Sequence, residues 1–258
     1  MYPRLLQLGH IAIPTYGALT ALGLVAALVL AVRLARRFSL DPNKLWSLCL
    51  LGTLTTLIGA RLLLALVFFR AFRQHPFWVL GLTQVHAPGI FALAAAAGVG
   101  AAVLFALAEG LPVLAVLDTL APAAALATAL NRIGAFLAGL DWGTPTRLGW
   151  AVTYDRKLSV LWYGTPTYIP LHPVQLYDAA AALLTLALLL FWLPRRTQPG
   201  ELAGGWLFLT GFAAAIFMPL RADASPALAL PLAAAAVIAG GALWLRRKPV
   251  EASLPAAA

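Results

Sequence analysis

The chain has 258 residues, of which 62% are hydrophobic and only 10% charged, and its mean hydropathy is +0.88. A water-soluble domain carries about 25% charged residues, so the composition excludes a soluble globular enzyme and specifies one integral-membrane bundle. The formal net charge of +9 does not point to nucleic acid, because the basic residues sit in short clusters between apolar runs, as cytoplasm-facing loops do. The single cysteine, Cys49, has no thiol partner, which excludes an intrachain disulfide or a cysteine-based metal site. The first apolar run is too long for the core of a signal peptide and no small-residue cleavage site follows it cleanly, so no cleavable leader is expected.

In chain order the apolar runs predict an all-α, polytopic bundle of seven spans. The first runs from about Ile13 to Val32 and stops at Arg33, Arg36 and Arg37; the second from about Leu45 to Phe69, with Arg61 inside it. The third covers about Phe77 to Leu107, broken near His86-Ala87-Pro88-Gly89, and the fourth about Leu111 to Leu130. The fifth, sixth and seventh cover about Ala179 to Leu193, Gly205 to Leu220 and Ala227 to Leu245. Most approach the roughly 20 residues that cross the hydrocarbon core; the fifth and sixth are short. The connection from Asn131 to Asp178 is long, and its Trp150–Tyr154 and Leu161–Tyr168 segments, rich in turn and β-forming residues, predict a short hairpin or irregular cap over about 141–172. Residues 1–248 then form the bundle, and 249–258 a disordered tail.

Against this background a short polar list stands out: Tyr16, Arg61, His86, Asp118, Arg132, Asp141, His172, Gln175, Tyr177 and Asp178. Each has an ordinary explanation. Tyr16 suits an interface anchor, and Arg61 a pairing with a helix carbonyl or with Asp118. Arg132 suits a helix end that snorkels to the headgroups. His172 to Asp178 suits a helix entry, with Pro173 near the first turn. The four histidines show no metal-ligand spacing, so no metal or cofactor is expected. Taken jointly the ordinary explanations weaken. With the N-terminus outside, Tyr16, Arg61, His86, Arg132 and His172 all fall in or beside one leaflet. That grouping offers cations for a lipid phosphate and a base that titrates near neutrality. The sequence contains no nucleophile elbow, Walker loop or dinucleotide fingerprint.

These residues resemble those of the prolipoprotein diacylglyceryl transferase family over roughly residues 11 to 223. Ile13-Pro14-Thr15-Tyr16-Gly17 looks like the family's first-helix Ile-x-x-Tyr-Gly, and Gly59-Ala60-Arg61 like its Gly-x-Arg. His86-Ala87-Pro88-Gly89 is similar to its His-Gly-Gly loop, and Asn131-Arg132-Ile133-Gly134-Ala135-Phe136 with Trp142-Gly143 to its Gly-Arg-x-Gly-Asn-Phe and trailing Trp-Gly. His172-Pro173-Val174-Gln175-Leu176-Tyr177-Asp178 is close to its His-Pro-x-Gln-Leu-Tyr-Glu. The resemblance implies transfer of diacylglycerol from phosphatidylglycerol to the lipobox cysteine thiol of preprolipoproteins, in the bacterial inner membrane, with no cofactor. It implies His86 as the base, with His172 as the alternative, and Arg132 as the phosphate clamp. Tyr16, Arg61, Asp141, Gly143, His172, Gln175, Tyr177 and Arg221 would bind substrate or fix the clamp. The chain also departs from the pattern. Asn131 and Ala135 replace the signature's glycine and asparagine, Leu140 occupies the acidic position with Asp141 beside it, and Ala87 and Pro88 replace the loop glycines. In the sixth helix, where the family has Arg-Phe-x-x-Glu-Phe-Phe-Arg, its arginine and glutamate correspond to Ala215 and Met218, and only the trailing arginine survives, as Arg221. The rival reading is a non-catalytic relative that binds phospholipid or lipoprotein signal segments.

Orientation is the first testable expectation. With the N-terminus outside, the inner segments hold nine Lys/Arg residues (33, 36, 37, 44, 195, 196, 246, 247 and 248) against four in the short outer segments (4, 70, 73 and 221). Reporter fusions after Arg37 and after Arg196 should both report a cytoplasmic location; an external signal from either reverses the topology.

Overall fold

The computed structural model describes residues 2–8, 11–74, 88–222 and 226–245. It begins with an antiparallel hairpin, β1 (Arg4–Leu8) and β2 (Ile11–Pro14), followed by α1 (Thr15–Ala35), α2 (Pro42–Val67), α3 (Phe69–Gln74), α4 (Pro88–Ala108) and α5 (Val113–Ala138). A cap holds β3 (Val152–Thr153), α6 (Lys157–Tyr163) and β4 (Pro170–Leu171), and α7 (Val174–Trp192), α8 (Glu201–Phe217) and α9 (Pro226–Trp244) complete the chain. Among the described residues α1, α2, α4, α5, α7 and α8 lie in stretches long and apolar enough to cross a membrane, and α9 carries a shorter apolar stretch, Ala229–Trp244. The protein is an all-α, multi-pass membrane protein.

Several boundaries differ from expectation. The first helix starts at Thr15, because Pro14 lacks an N–H and holds the preceding residue extended, so Ile11–Pro14 pairs as a strand. The third starts at Pro88; residues 75–87, and with them His86, lie outside the described residues, as does the tail 249–258. The fourth continues to Ala138, which puts Arg132 inside a helix. The fifth begins at Val174 and the sixth at Glu201, so Gln175, Tyr177 and Asp178 sit on helical turns and not in a loop. In the cap, Val152–Thr153 pairs with Pro170–Leu171 as a two-residue ladder, but Leu161-Trp162-Tyr163 is helical. Aromatic β-propensity is outweighed there by a helix that ends on Gly164 at φ 68°, whose N–H closes on Val160 O at 2.8 Å.

Helix α5 is the hub. Half of its apolar window is buried, more than in any other span among the described residues, and α1, α7 and α8 pack on it. Helix α2 lies against α4 and α1, and α9 against α8. Apolar burial gives little drive between helices already in lipid, so close approach depends on small residues. A Cβ on Gly134 of α5 would lie 3.0 Å from Leu19 Cβ on α1, and one on Gly204 of α8 would lie 2.7 Å from Gly240 O on α9.

One end of the bundle is held by Asp118. This fully buried carboxylate accepts hydrogen bonds from Gly200 N (2.7 Å), Ala203 N (2.9 Å) and Arg196 Nη1 (3.0 Å). It therefore caps the start of α8 from a neighbouring helix, satisfying N–H groups that α8 cannot bond itself. Its ion partner is Arg196, not Arg61. The Arg196 guanidinium also lies 4.4 Å from the centre of the Phe38 ring, just beyond α1. Replacing Asp118 strands a cation and two N–H donors, so Asp118→Ala should cost about 3 kcal/mol, visible as a lower midpoint of thermal unfolding in detergent. An unchanged midpoint would show that water replaces the carboxylate.

The cap has its own buried polar group. Burial pushes the Tyr154 phenol from an ordinary value of 10.0 up to about 12, against a weaker opposing pull from the Gln175 amide 3.2 Å away. Between those two values the folded chain keeps a proton that the unfolded chain has lost, so stability falls as pH rises through that window. An alkaline phenolate titration, wild type minus Tyr154→Phe, should give a midpoint of about 12; a midpoint of 10 would mean a solvated phenol.

Candidate functional site: an arginine–aspartate network over a cavity

Arg132 lies near the end of α5, and the way that helix stops decides what the arginine meets. Gly139 takes φ 84°, its N–H closing on Ala135 O (2.9 Å) and Phe136 O (3.2 Å). Leu140 then turns into the interior, and Asp141, itself left-handed at φ 54°, turns back toward the helix. Its Oδ2 accepts from Arg132 Nη1 at 2.7 Å. The acidic residue displaced by one position in the sequence thus still reaches the arginine, through a left-handed backbone conformation that aspartate adopts more readily than most non-glycine residues.

The second acid comes from α7. Asp178 Oδ2 lies 3.4 Å from Arg132 Nε and also accepts a hydrogen bond from Arg221 Nη2. Arg221 follows the 3-10 turn Met218–Leu220 that extends α8, and backbone pairing with the loop after Asp141 fixes it. Gly143 bridges to Arg221, Thr144 N donates to Leu220 O (2.8 Å) and Ala222 N to Trp142 O (3.3 Å). Gly143 also lets the same loop seat against the start of α7: a Cβ there would meet Val174 Cγ2 at 2.6 Å and His172 Cβ at 2.8 Å. The network runs Asp141–Arg132–Asp178–Arg221, two cations with two anions, and all four side chains are between 12% and 25% exposed. It is neither sealed in the core nor on the open surface. Beneath it lies a cavity of about 130 Å³ between α5, α7 and α8, bordered by Arg132, Asp178 and Arg221 and lined by Thr128, Thr185, Thr210 and four alanines.

The other candidates fall at graded distances from this centre. Tyr16 OH accepts from Asn131 Nδ2 (3.2 Å), which also donates to Thr20 Oγ1 (2.9 Å), so Tyr16 borders the residue next to Arg132. Tyr177 OH accepts from Trp150 Nε1 of the cap (2.7 Å), and its ring lies beside His172 and Phe217. His172 Nδ1 is buried without a hydrogen-bond partner among the described residues. Gln175 is fully buried and donates to Leu140 O (2.7 Å). Arg61 forms no ion pair or hydrogen bond with a described residue, and it does not line the cavity.

Sequence reasoning gave Asp178 no role, although a carboxylate in an apolar helix demands a cation and the signal was therefore available. It also misplaced one substitution. With the trailing arginine at Arg221, the pattern Arg-Phe-x-x-Glu-Phe-Phe-Arg counts back to Ala214 and not to Ala215. Ala214 lines the cavity, and Met218 is buried in the turn that leads to Arg221.

Comparison with known proteins agrees with this architecture. The family model described as prolipoprotein diacylglyceryl transferase matches residues 3–246. A phosphatidylglycerol--prolipoprotein diacylglyceryl transferase of Clostridium tetani is 29% identical over 225 residues, 86% of each chain. That of Synechococcus elongatus is 32% identical over 75% of this chain and 65% of its own, and that of Tolumonas auensis 33% identical over 84% and 80%. By the span of this match, the chain belongs to the prolipoprotein diacylglyceryl transferase family.

Proposed function

We propose that the protein is an active transferase that moves the diacylglyceryl group of phosphatidylglycerol onto the lipobox cysteine thiol of preprolipoproteins. The reaction takes place at the outer face of the bacterial inner membrane, with the N-terminus outside and the C-terminus in the cytoplasm. The observation that carries this reading is the partly exposed Arg132–Asp178–Arg221 cluster at the edge of a cavity within the bundle. Neither nucleic acid nor a cofactor takes part.

In this reaction the cysteine sulfur forms a bond to the glycerol carbon, the bond from that carbon to the phosphate oxygen breaks, and glycerol phosphate leaves with the bonding pair. The thiol, with an ordinary pKa of about 8.5, gives its proton to a base. His86 is assigned that part, and His172, with its buried Nδ1, is the alternative. Charge grows on the departing phosphate, so cations already in place lower the barrier. Arg132 presents its guanidinium there with Nη1 and Nε held by Asp141 and Asp178. The guanidinium has five N–H donors, so a phosphate contact uses those that remain or replaces one carboxylate, anion for anion. Arg221 supplies the second cation, in the part of the helix arginine absent at Ala214; Tyr16 and Tyr177 border the lipid headgroup.

Complementation tests the activity: the chain is supplied to a bacterium depleted of its own transferase. Growth supports the enzyme, and failure despite membrane insertion supports a non-catalytic lipid-binding relative. Thiol alkylation of a lipobox peptide tests the clamp. Lysine lacks the planar fork, so Arg132→Lys should lose about 10²-fold in kcat, while Arg147→Lys on the exposed surface of the cap retains wild-type activity. Equal rates in all three proteins would reduce Arg132 to a snorkelling anchor.

A further inference from the structure

The last four carbonyls of a helix have no partner within it. At the end of α5, after Ala135 O and Phe136 O have accepted the closing N–H groups, the next four carbonyls in sequence are each met by a donor from a different part of the chain. Leu137 O receives Tyr2 N (3.0 Å), Ala138 O receives Ser159 Oγ (2.9 Å), Gly139 O receives Thr165 Oγ1 (2.7 Å) and Leu140 O receives Gln175 Nε2 (2.7 Å). Ser159, Thr165 and Gln175 are all buried, so water cannot replace a donor that is removed. Thr165 Oγ1 also lies 3.0 Å from Ser159 O, so the two cap hydroxyls form one unit with the end of α6. A Cβ at Gly139 would meet Thr165 Oγ1 at 3.1 Å and Ser159 Cβ at 3.2 Å, which shows how closely the cap is seated there.

Asp141 follows directly after these carbonyls, in a left-handed conformation that aspartate adopts more readily than most non-glycine residues. We propose that Ser159 and Thr165 are positioning residues for the transferase reaction, holding the Ala138 and Gly139 carbonyls so that the Asp141 carboxylate meets Arg132. This rests on the site reading above. Neither hydroxyl touches the network itself; each acts through the backbone path from Ala138 to Asp141. Removing one lets the turn relax, the Asp141 carboxylate withdraws, and Arg132 loses the partner that aims its guanidinium. Misplacement of a charge-stabilising group on this scale costs on the order of 10- to 10²-fold in rate.

A double-mutant cycle separates positioning from general support of the fold. Wild type, Thr165→Val, Asp141→Asn and the double variant are reconstituted with phosphatidylglycerol and a lipobox peptide. Rates are normalised to folded protein, and thermal unfolding is measured on the same four samples. Thr165→Val should lower kcat about tenfold in the wild-type background and less than about twofold beside Asp141→Asn. Thr165→Ser, which keeps the hydroxyl, should restore the rate, and Ser159→Ala is the second variant if Thr165→Val does not insert. Equal losses in both backgrounds, or a Thr165→Ser variant as slow as Thr165→Val, would overturn the inference while leaving the proposed activity intact. A silent Asp141→Asn would overturn both the inference and the assignment of Asp141 to the site. If the wild type is inactive, the proposed function fails and the positioning role given to Ser159 and Thr165 fails with it; the unfolding midpoints then report only whether Thr165 and Asp141 are structurally coupled, and additive shifts would refute that as well.

Discussion

Arg132 carries a charge that no physiological pH removes, on a helix that spans the membrane. A lone guanidinium at the centre of such a helix costs about 2.5–3.5 kcal/mol on insertion scales. One end of this fold is arranged around that constraint. Arg132 lies close to the helix end, and two carboxylates from separate elements meet it. Because Asp178 is shared, Arg221 must also be brought in, which requires the turn after α8 to lie against the loop after Asp141. Gly143 is small because the same loop also packs closely on His172 and Val174. One ionic requirement thus fixes the ends of three helices and the loop between them.

The same chemical parts occur at Asp118 with the opposite outcome. There a carboxylate takes three donors and has no exposed surface, so nothing remains to exchange with a ligand. Such a group fixes structure. Asp178 divides one oxygen between two arginines, keeps some exposure and faces open volume. Its bonds can be traded for bonds to a phosphate, because the incoming anion replaces like with like. The distinction between a structural and a chemical ion pair lies in access, not in residue type.

Much of the architecture was legible in the sequence because membrane spans announce themselves through composition. All seven expected spans contain helix, and the expected grouping of polar residues pointed to Arg132, although Arg61 stands apart from its network and His86 lies outside the described residues. What the sequence hid was conformational. Aspartate is among the few non-glycine residues that turn left-handed readily, but Leu140-Asp141 does not say that this one will do so and carry the acid back to Arg132. The strand at Ile11–Pro14 was hidden by its apolar character, which reads equally well as the start of a span. The cap helix was hidden by Trp162 and Tyr163, whose β-propensity masked the Gly164 stop. Ser159 and Thr165 could not be found at all, since a hydroxyl that caps a distant carbonyl has no local pattern. Arg61 shows the reverse: its position in a span attracted notice, yet it joins no described partner.

The altered sixth-span pattern also changes what positions the second cation. An arginine at 214 would project from the body of α8, its backbone held by that helix. Arg221 lies beyond the helix, and its backbone is held by pairing with Gly143, Thr144 and Trp142 instead. The loop that aims Asp141 at Arg132 is therefore continuous with the loop that carries Arg221 to Asp178. Both cations depend on one segment, which is itself bolted to α5 by the cap hydroxyls and to α7 by Gln175. A helix-borne arginine would tolerate movement of the cap, whereas this arrangement does not. The cap, which contributes no arginine of its own to the network, becomes the element on which the geometry of the charged centre rests.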